Sequence, residues 1–206
     1  MQYQVLKDQL KGFSVFSLSD IRKIDQKFYS SRLSQWQEKG YIKKLRRGYY
    51  MFADTDLNEE KLFLIANHLY APSYVSLESA LSYYGLIPEG VYSITSVSSA
   101  KTARFETPIA DYVYRNVRSQ LLFGYHLKQV GGQGYKIAEI EKAVLDYLYL
   151  NPNIVREADF HEWRFNSGEF LAHADIAKLR AYAQGSYRKS FCLRLEKLML
   201  LIEKNK

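Results

Sequence analysis

The sequence predicts an α+β protein in which an N-terminal winged helix-turn-helix precedes a mixed α/β domain with antiparallel strands and a helical C-terminal tail. Three observations carry that expectation. The first quarter of the chain reads as three helices followed by a hairpin. The middle holds runs rich in Val, Ile, Tyr and Thr, set between turn residues. The last part falls into amphipathic helical spacing. A length of 206 residues fits one or two domains, and the change of pattern near Ala53 divides the chain into residues 1–53 and residues 54–206.

In chain order, Tyr3, Leu6 and Leu10 stand at helical spacing before Gly12 and predict a first helix. Ser17 followed by Asp20 has the form of a capping box, with Ile21 and Ile24 as the buried face of a short second helix. A third helix is expected from about Phe28 to Lys39, with Leu33 and Trp36 facing inward and Gly40 ending it in a left-handed cap. From Tyr41 to Phe52 the period changes. Aromatic and β-branched residues flank the basic segment Lys43-Lys44-Leu45-Arg46-Arg47-Gly48, as two strands around a tight turn would.

Asp56 and Glu59 form a second capping signal ahead of a helix through Leu62, Phe63, Ala66 and Leu69. Another helix runs from about Ser76 to Tyr84 and stops at Gly85. Strands of a mostly antiparallel sheet are expected at Val91 to Ser98, Pro108 to Val117 and Leu121 to Leu127. A turn at Gly131-Gly132-Gln133-Gly134 leads to a short strand at Tyr135 to Ile137. Glu139 to Leu150 is amphipathic, with Ala143, Val144, Leu148 and Tyr149 on one stripe. A long helix closes the chain from about Tyr187 to Glu203. Its stripe of Phe191, Leu195, Leu198 and Ile202 serves either a dimer or the interior of the monomer.

The distribution of charge points to a partner. The chain carries a net +7, and up to Asp54 eleven Lys and Arg stand against five Asp and Glu, a local +6. The remainder holds eighteen basic and seventeen acidic residues, a local +1. Concentrated positive charge suits double-stranded DNA, whose phosphates release counterions when neutralised. In a helix-turn-helix the second helix of the motif enters the major groove. With Leu33 and Trp36 inward, the groove-facing set is Ser30, Ser31, Arg32, Ser34 and Gln35. Gln can pair bidentately with adenine and Arg with guanine, while Ser serves several bases. Lys27 at the helix entrance suits a phosphate, as do Lys43, Lys44, Arg46 and Arg47 in the wing. Taken singly, exposed Ser and Gln are ordinary helix surface and a charged edge strand discourages aggregation.

Beyond these patterns the chain resembles the AbiEi-type antitoxins of bacterial type IV toxin-antitoxin and phage-defence systems. The N-terminal likeness lies in Phe16 to Ile21, Leu33 to Gly40 and Leu45-Arg46-Arg47-Gly48-Tyr49-Tyr50, features shared with many winged helices. More specific are Tyr74 to Leu86, Val91 to Thr95 and Glu141-Lys142-Ala143-Val144-Leu145-Asp146-Tyr147-Leu148-Tyr149-Leu150. The family usually places Pro before that Glu-Lys-Ala, where this chain has Ile140. The resemblance implies a repressor that binds inverted repeats at its own promoter. It also implies an antitoxin that counteracts a co-encoded nucleotidyltransferase-like toxin without requiring a stable complex with it.

Other chemistry finds little support in the residues, and the reading is of a protein that is not an enzyme and needs no cofactor. His68, His126, His161 and His173 lack metal-ligand spacing, and Cys192 alone completes no zinc site. The glycine cluster lacks the Lys-Ser or Lys-Thr of a phosphate loop. Glu139, Glu141 and Asp146 form the best carboxylate group, the basis of a rival reading as a metal-dependent enzyme on nucleic acid; as carboxylates in a helix's first turns they read as dipole partners, solvated or salt-bridged. A second rival is a protein-interaction module whose winged helix no longer binds DNA. Stacking of single-stranded nucleic acid on the Tyr-rich second domain is disfavoured by its near-neutral charge. No apolar run approaches the ~18 residues of a membrane span. Met1-Gln2-Tyr3-Gln4 lacks the apolar stretch of a secretory signal, and the single Cys192 fits a reducing cytoplasm.

Overall fold

The computed structural model describes residues 1–88, 90 and 92–204 and has a mixed α+β fold with a helical C-terminal tail. The N-terminal part comprises α1 (Tyr3–Gln9), β1 (Phe16–Ser17), α2 (Leu18–Ile24), α3 (Ser31–Glu38), β2 (Ile42–Arg46) and β3 (Tyr49–Phe52). Its three strands form an antiparallel sheet in the order β1-β3-β2. The capping box at α2 is present: Asp20 N–H donates to the Ser17 hydroxyl, and Ser17 N–H donates to the Asp20 carboxylate at 2.9 Å. Helix α3 ends as its sequence requires. Gly40 has φ +69°, which lets the Tyr41 and Gly40 N–H groups reach the Trp36 and Gln37 carbonyls, both at 2.9 Å.

Two N-terminal expectations are corrected. Ile24 is 37% exposed and closes α2 at the surface, leaving Ile21 as the buried residue of that helix. Helix α3 begins at Ser31, not at Phe28. The Asp25 side chain accepts the Lys27 N–H at 3.1 Å and its carbonyl accepts the Phe28 N–H at 3.0 Å, a local turn that holds the chain out of helix.

The remainder comprises α4 (Glu59–Leu69), β4 (Ser73–Val75), α5 (Leu77–Tyr83), β5 (Ser93–Ser98), β6 (Ala103–Glu106), β7 (Asp111–Asn116), a single 3-10 turn (Ser119–Leu121), β8 (Tyr125–Val130), β9 (Gln133–Ala138), α6 (Ile140–Leu150), α7 (Glu157–Glu162), α8 (Ser167–His173), α9 (Ile176–Ser186) and α10 (Lys189–Lys204). Six strands make one sheet in the order β6-β7-β5-β4-β9-β8. Three of its five pairings are antiparallel, as expected, and the sheet is mixed because β5 runs parallel to β7 and β4 parallel to β9. Of the expected strand from Val91, Val91 itself lies outside the described residues. The run from Pro108 resolves to β7, paired with an unanticipated β6, and the run from Leu121 becomes the 3-10 turn followed by β8. Asn58, not Asp56, caps α4, accepting the Lys61 N–H at 3.0 Å.

Strand alternation aims side chains at helices on both faces of this sheet. Tyr114 on β7 donates to the Ala66 carbonyl of α4 at 2.7 Å, and Tyr74 on β4 donates to Asp146 of α6 at 2.8 Å. Helices α9 and α10 then pack on α6. The stripe Phe191, Leu195, Leu198 and Ile202 is buried inside the monomer. Two hydrophobic clusters result. One gathers Leu6, Leu10, Phe16, Ile21, Phe28, Leu33, Trp36, Ile42 and Phe52. The larger is built on the six-stranded sheet and also takes in Val15, Leu45 and Met51 from the N-terminal part. Among the described residues no helix is long and apolar enough to cross a membrane.

Candidate nucleic-acid interface

Helix α3 owes its orientation to two residues. Leu33 and Trp36, three apart, are 3% and 6% exposed, and the Trp36 ring lies 5.6 Å from those of Tyr3 and Phe28. Burying that face turns Ser31, Arg32, Ser34 and Gln35 to solvent, with Ser30 exposed at the cap. Ser30 makes no side-chain hydrogen bond to the first turn. The structure therefore brings all five expected helix residues onto one accessible surface. Arg32 is not entirely free, since its guanidinium donates to the Met1 carbonyl at 2.5 Å. Lys27 is exposed in the turn before α3.

The hairpin divides its four cations. Strands β2 and β3 are joined at Arg47-Gly48, where Gly48 has φ +87°, a value that favours glycine in a tight turn. The register shifts between Lys44 and Arg46, a bulge centred on Leu45. Ile42 and Leu45, three apart and so on opposite faces, enter the smaller and the larger core respectively, while Lys44 stays exposed. Arg47 is exposed at the tip and Lys43 is half-buried. Arg46 faces the other way: its guanidinium donates to the Leu69 carbonyl at the end of α4 and lies 4.2 Å from the centre of the Phe105 ring. Arg46 thus ties the hairpin to the larger sheet and is not displayed beside Lys44 and Arg47. Two further groups, absent from the expected set, join the exposed N-terminal surface. Tyr29, directly before the α3 cap, is 75% exposed, and Arg22 is exposed on α2. An aromatic residue just ahead of a polar-faced helix is the available signal for the first.

The carboxylates of α6 are each held by protein groups. Asp146 is fully buried and accepts from Tyr74 and Ser76, both at 2.8 Å, and from the Lys142 ammonium, itself fully buried one helical turn away. Rings of Phe123, Tyr74 and Tyr187 surround that ammonium at 5.1, 5.6 and 5.9 Å. Gly124 has φ +70°, which favours glycine, and a Cβ there would crowd the Lys142 side chain at 3.1 Å. Burial pushes the Asp146 carboxyl above its ordinary pKa and the Lys142 amine below its own, and each opposes the other's shift. Glu141 accepts the Asp175 N–H at 2.8 Å, and Glu139 accepts from Tyr182 and Lys178, both at 2.8 Å. Among the described residues no three His, Cys, Asp or Glu side chains gather as a metal ion would require.

The fold and this surface define an α+β protein whose N-terminal helices and hairpin display polar and basic side chains together. Comparison of the chain with protein-family models finds no match, and neither does comparison with curated proteins.

Proposed function

We propose that this protein is a double-stranded DNA-binding repressor of the winged helix-turn-helix type, acting at its own promoter. The observation that carries the reading is the shared exposure of short polar and hydrogen-bonding side chains on α3 with Lys44 and Arg47 on the adjoining hairpin. Helix α3 would present Ser31, Arg32, Ser34 and Gln35 to base edges, and Ser30 with Lys27 would sit at the groove entrance. The hairpin would place Lys44 and Arg47 on phosphates, with Lys43 in support. Arg46 would act indirectly, by fixing the hairpin through Leu69 and Phe105.

The likeness of Tyr74 to Leu86 and of Glu141 to Leu150 to AbiEi-type antitoxins supports a second role, neutralisation of a co-encoded nucleotidyltransferase-like toxin in the cytoplasm. Gel-shift titration of Lys44→Glu/Arg47→Glu against the promoter duplex tests the first role. Binding should fall on specific and scrambled DNA alike, since phosphate contacts carry no sequence information. Unchanged affinity would remove the hairpin from the interface. Growth rescue on co-expression with the neighbouring toxin gene tests the second role, and absence of rescue would leave the repressor alone.

A further inference from the structure

Helix α10 has a second face besides its buried stripe. Ser190, Leu193, Arg194 and Lys197 follow one another at three- and four-residue spacing and line a cleft of about 430 Å³. Arg118 and Gln120 come to it from the 3-10 turn after β7, Tyr149 from α6, and Tyr187 and Arg188 from the join between α9 and α10. The lining thus holds four cations, Arg118, Arg188, Arg194 and Lys197, and no acidic residue. Among the described residues Arg118, Arg188 and Lys197 make no salt bridge, and all three are exposed. Arg194 is half-buried, donates to the Leu148 carbonyl and lies over the Phe191 ring at 5.6 Å.

Beside these cations stands an aromatic wall. The rings of Tyr187 and Phe191 stack at 4.3 Å, and Tyr149 meets both edge-on at 5.5 and 6.3 Å. The N-terminus of the sixteen-residue α10 opens at the same place and adds its positive dipole. A concave site of this volume matches a small ligand. Tyr187 and Phe191 cover each other's faces, and the half-buried Tyr149 is left at the rim; unpaired cations call for phosphates, and that ring calls for a flat aromatic partner.

We propose that this cleft binds a phosphorylated nucleotide, either free or as an unstacked nucleotide of a single strand. The base lies against Tyr149 at the rim of this wall, and the phosphates meet Arg118, Arg188 and Lys197. The site stands apart from α3 and the hairpin and does not depend on the DNA-binding reading.

Fluorescence polarisation of the full chain with a fluorophore-labelled adenosine nucleotide tests it, with unlabelled ATP, inorganic triphosphate and a short single-stranded RNA as competitors. Saturable binding is expected, with ATP or the RNA competing at least about tenfold better than triphosphate, because only they can stack. Competition by ATP alone assigns a free nucleotide, and stronger competition by the RNA assigns a strand. Arg118→Glu/Lys197→Glu, at two exposed positions, should weaken binding by at least about tenfold, and Arg188→Ser should weaken it less. Lys44→Glu/Arg47→Glu should leave it unchanged. No saturable binding, triphosphate equal to ATP, or undiminished affinity in the Arg118/Lys197 variant would each overturn the proposal.

Discussion

Arg46 and Arg47 adjoin in the chain and have separate duties. Arg46→Ala removes a hydrogen bond to the Leu69 carbonyl and a cation–π contact with Phe105. It should cost about 1–2 kcal/mol in urea unfolding. Arg47→Ala, at an exposed tip, should leave stability within about 0.5 kcal/mol of wild type. Equal stability losses would mean that Arg46 holds nothing. The buried pair on α6 makes a sharper case. Asp146→Asn leaves the Lys142 ammonium without its counter-charge among three aromatic rings and should cost about 3 kcal/mol or more. Adding Lys142→Met should lose less than the sum of the two single changes, since removing both charges leaves neither stranded. Strict additivity in the same unfolding experiment would contradict the coupling. Four basic residues within five positions read as one charged wing, because spacing alone cannot reveal that a bulge at Leu45 turns Arg46 inward. Likewise, Asp146 reads in sequence only as one of the carboxylates of an amphipathic helix, and its pairing with Lys142 is a buried one. Its burial depends on Tyr74, Ser76 and Gly124, which lie far away in sequence.

At the scale of elements, helices with local signals were legible and short strands were not. Ser17 and Asp20 announced α2, Gly40 announced the end of α3, and both devices are present. Ser17→Ala should cost ~1 kcal/mol by removing the cap. That cost depends on pH. Partial burial raises the Asp20 pKa, but hydrogen bonds from the Ser17 hydroxyl, the Ser17 N–H and Lys23 outweigh it and hold the carboxyl below its ordinary value. A depressed folded pKa contributes stability that is full above the unfolded value of about 3.9 and is lost as pH falls through the folded one. The gap between wild type and Ser17→Ala should therefore narrow in acid, and a pH-independent gap would exclude the carboxyl from the cap. On α3, Arg32→Ala or Gln35→Ala should relax sequence preference and cost ~1–3 kcal/mol on the specific site if a bidentate contact is lost. Strands β1 and β4 went unread because two or three residues carry no alternation. The parallel pairings of β5 with β7 and β4 with β9 are set by long-range packing, which leaves no mark on either partner's local pattern.

Across the whole molecule, charge is distributed more locally than domain sums convey. The excess of +6 up to Asp54 was legible, and of its cations Lys27, Arg32, Lys44 and Arg47 are exposed beside or on α3 and on the hairpin. The near-neutral remainder argued against nucleic-acid chemistry there, yet its sum averages carboxylates tied up on α6 with four cations gathered at one cleft. Residues from β7's end, α6 and α10 meet at that cleft only in three dimensions, so no single stretch of sequence advertised it. The proposed roles of α3 and the hairpin both require that the N-terminal surface bind promoter DNA. Gel-shift titration of the full chain against the duplex upstream of its own gene, beside a scrambled duplex and at two salt concentrations, tests that claim most directly. Tighter binding to the promoter duplex is expected, weakening steeply with salt as displaced counterions require. Equal affinity for both duplexes, or affinity indifferent to salt, would contradict it.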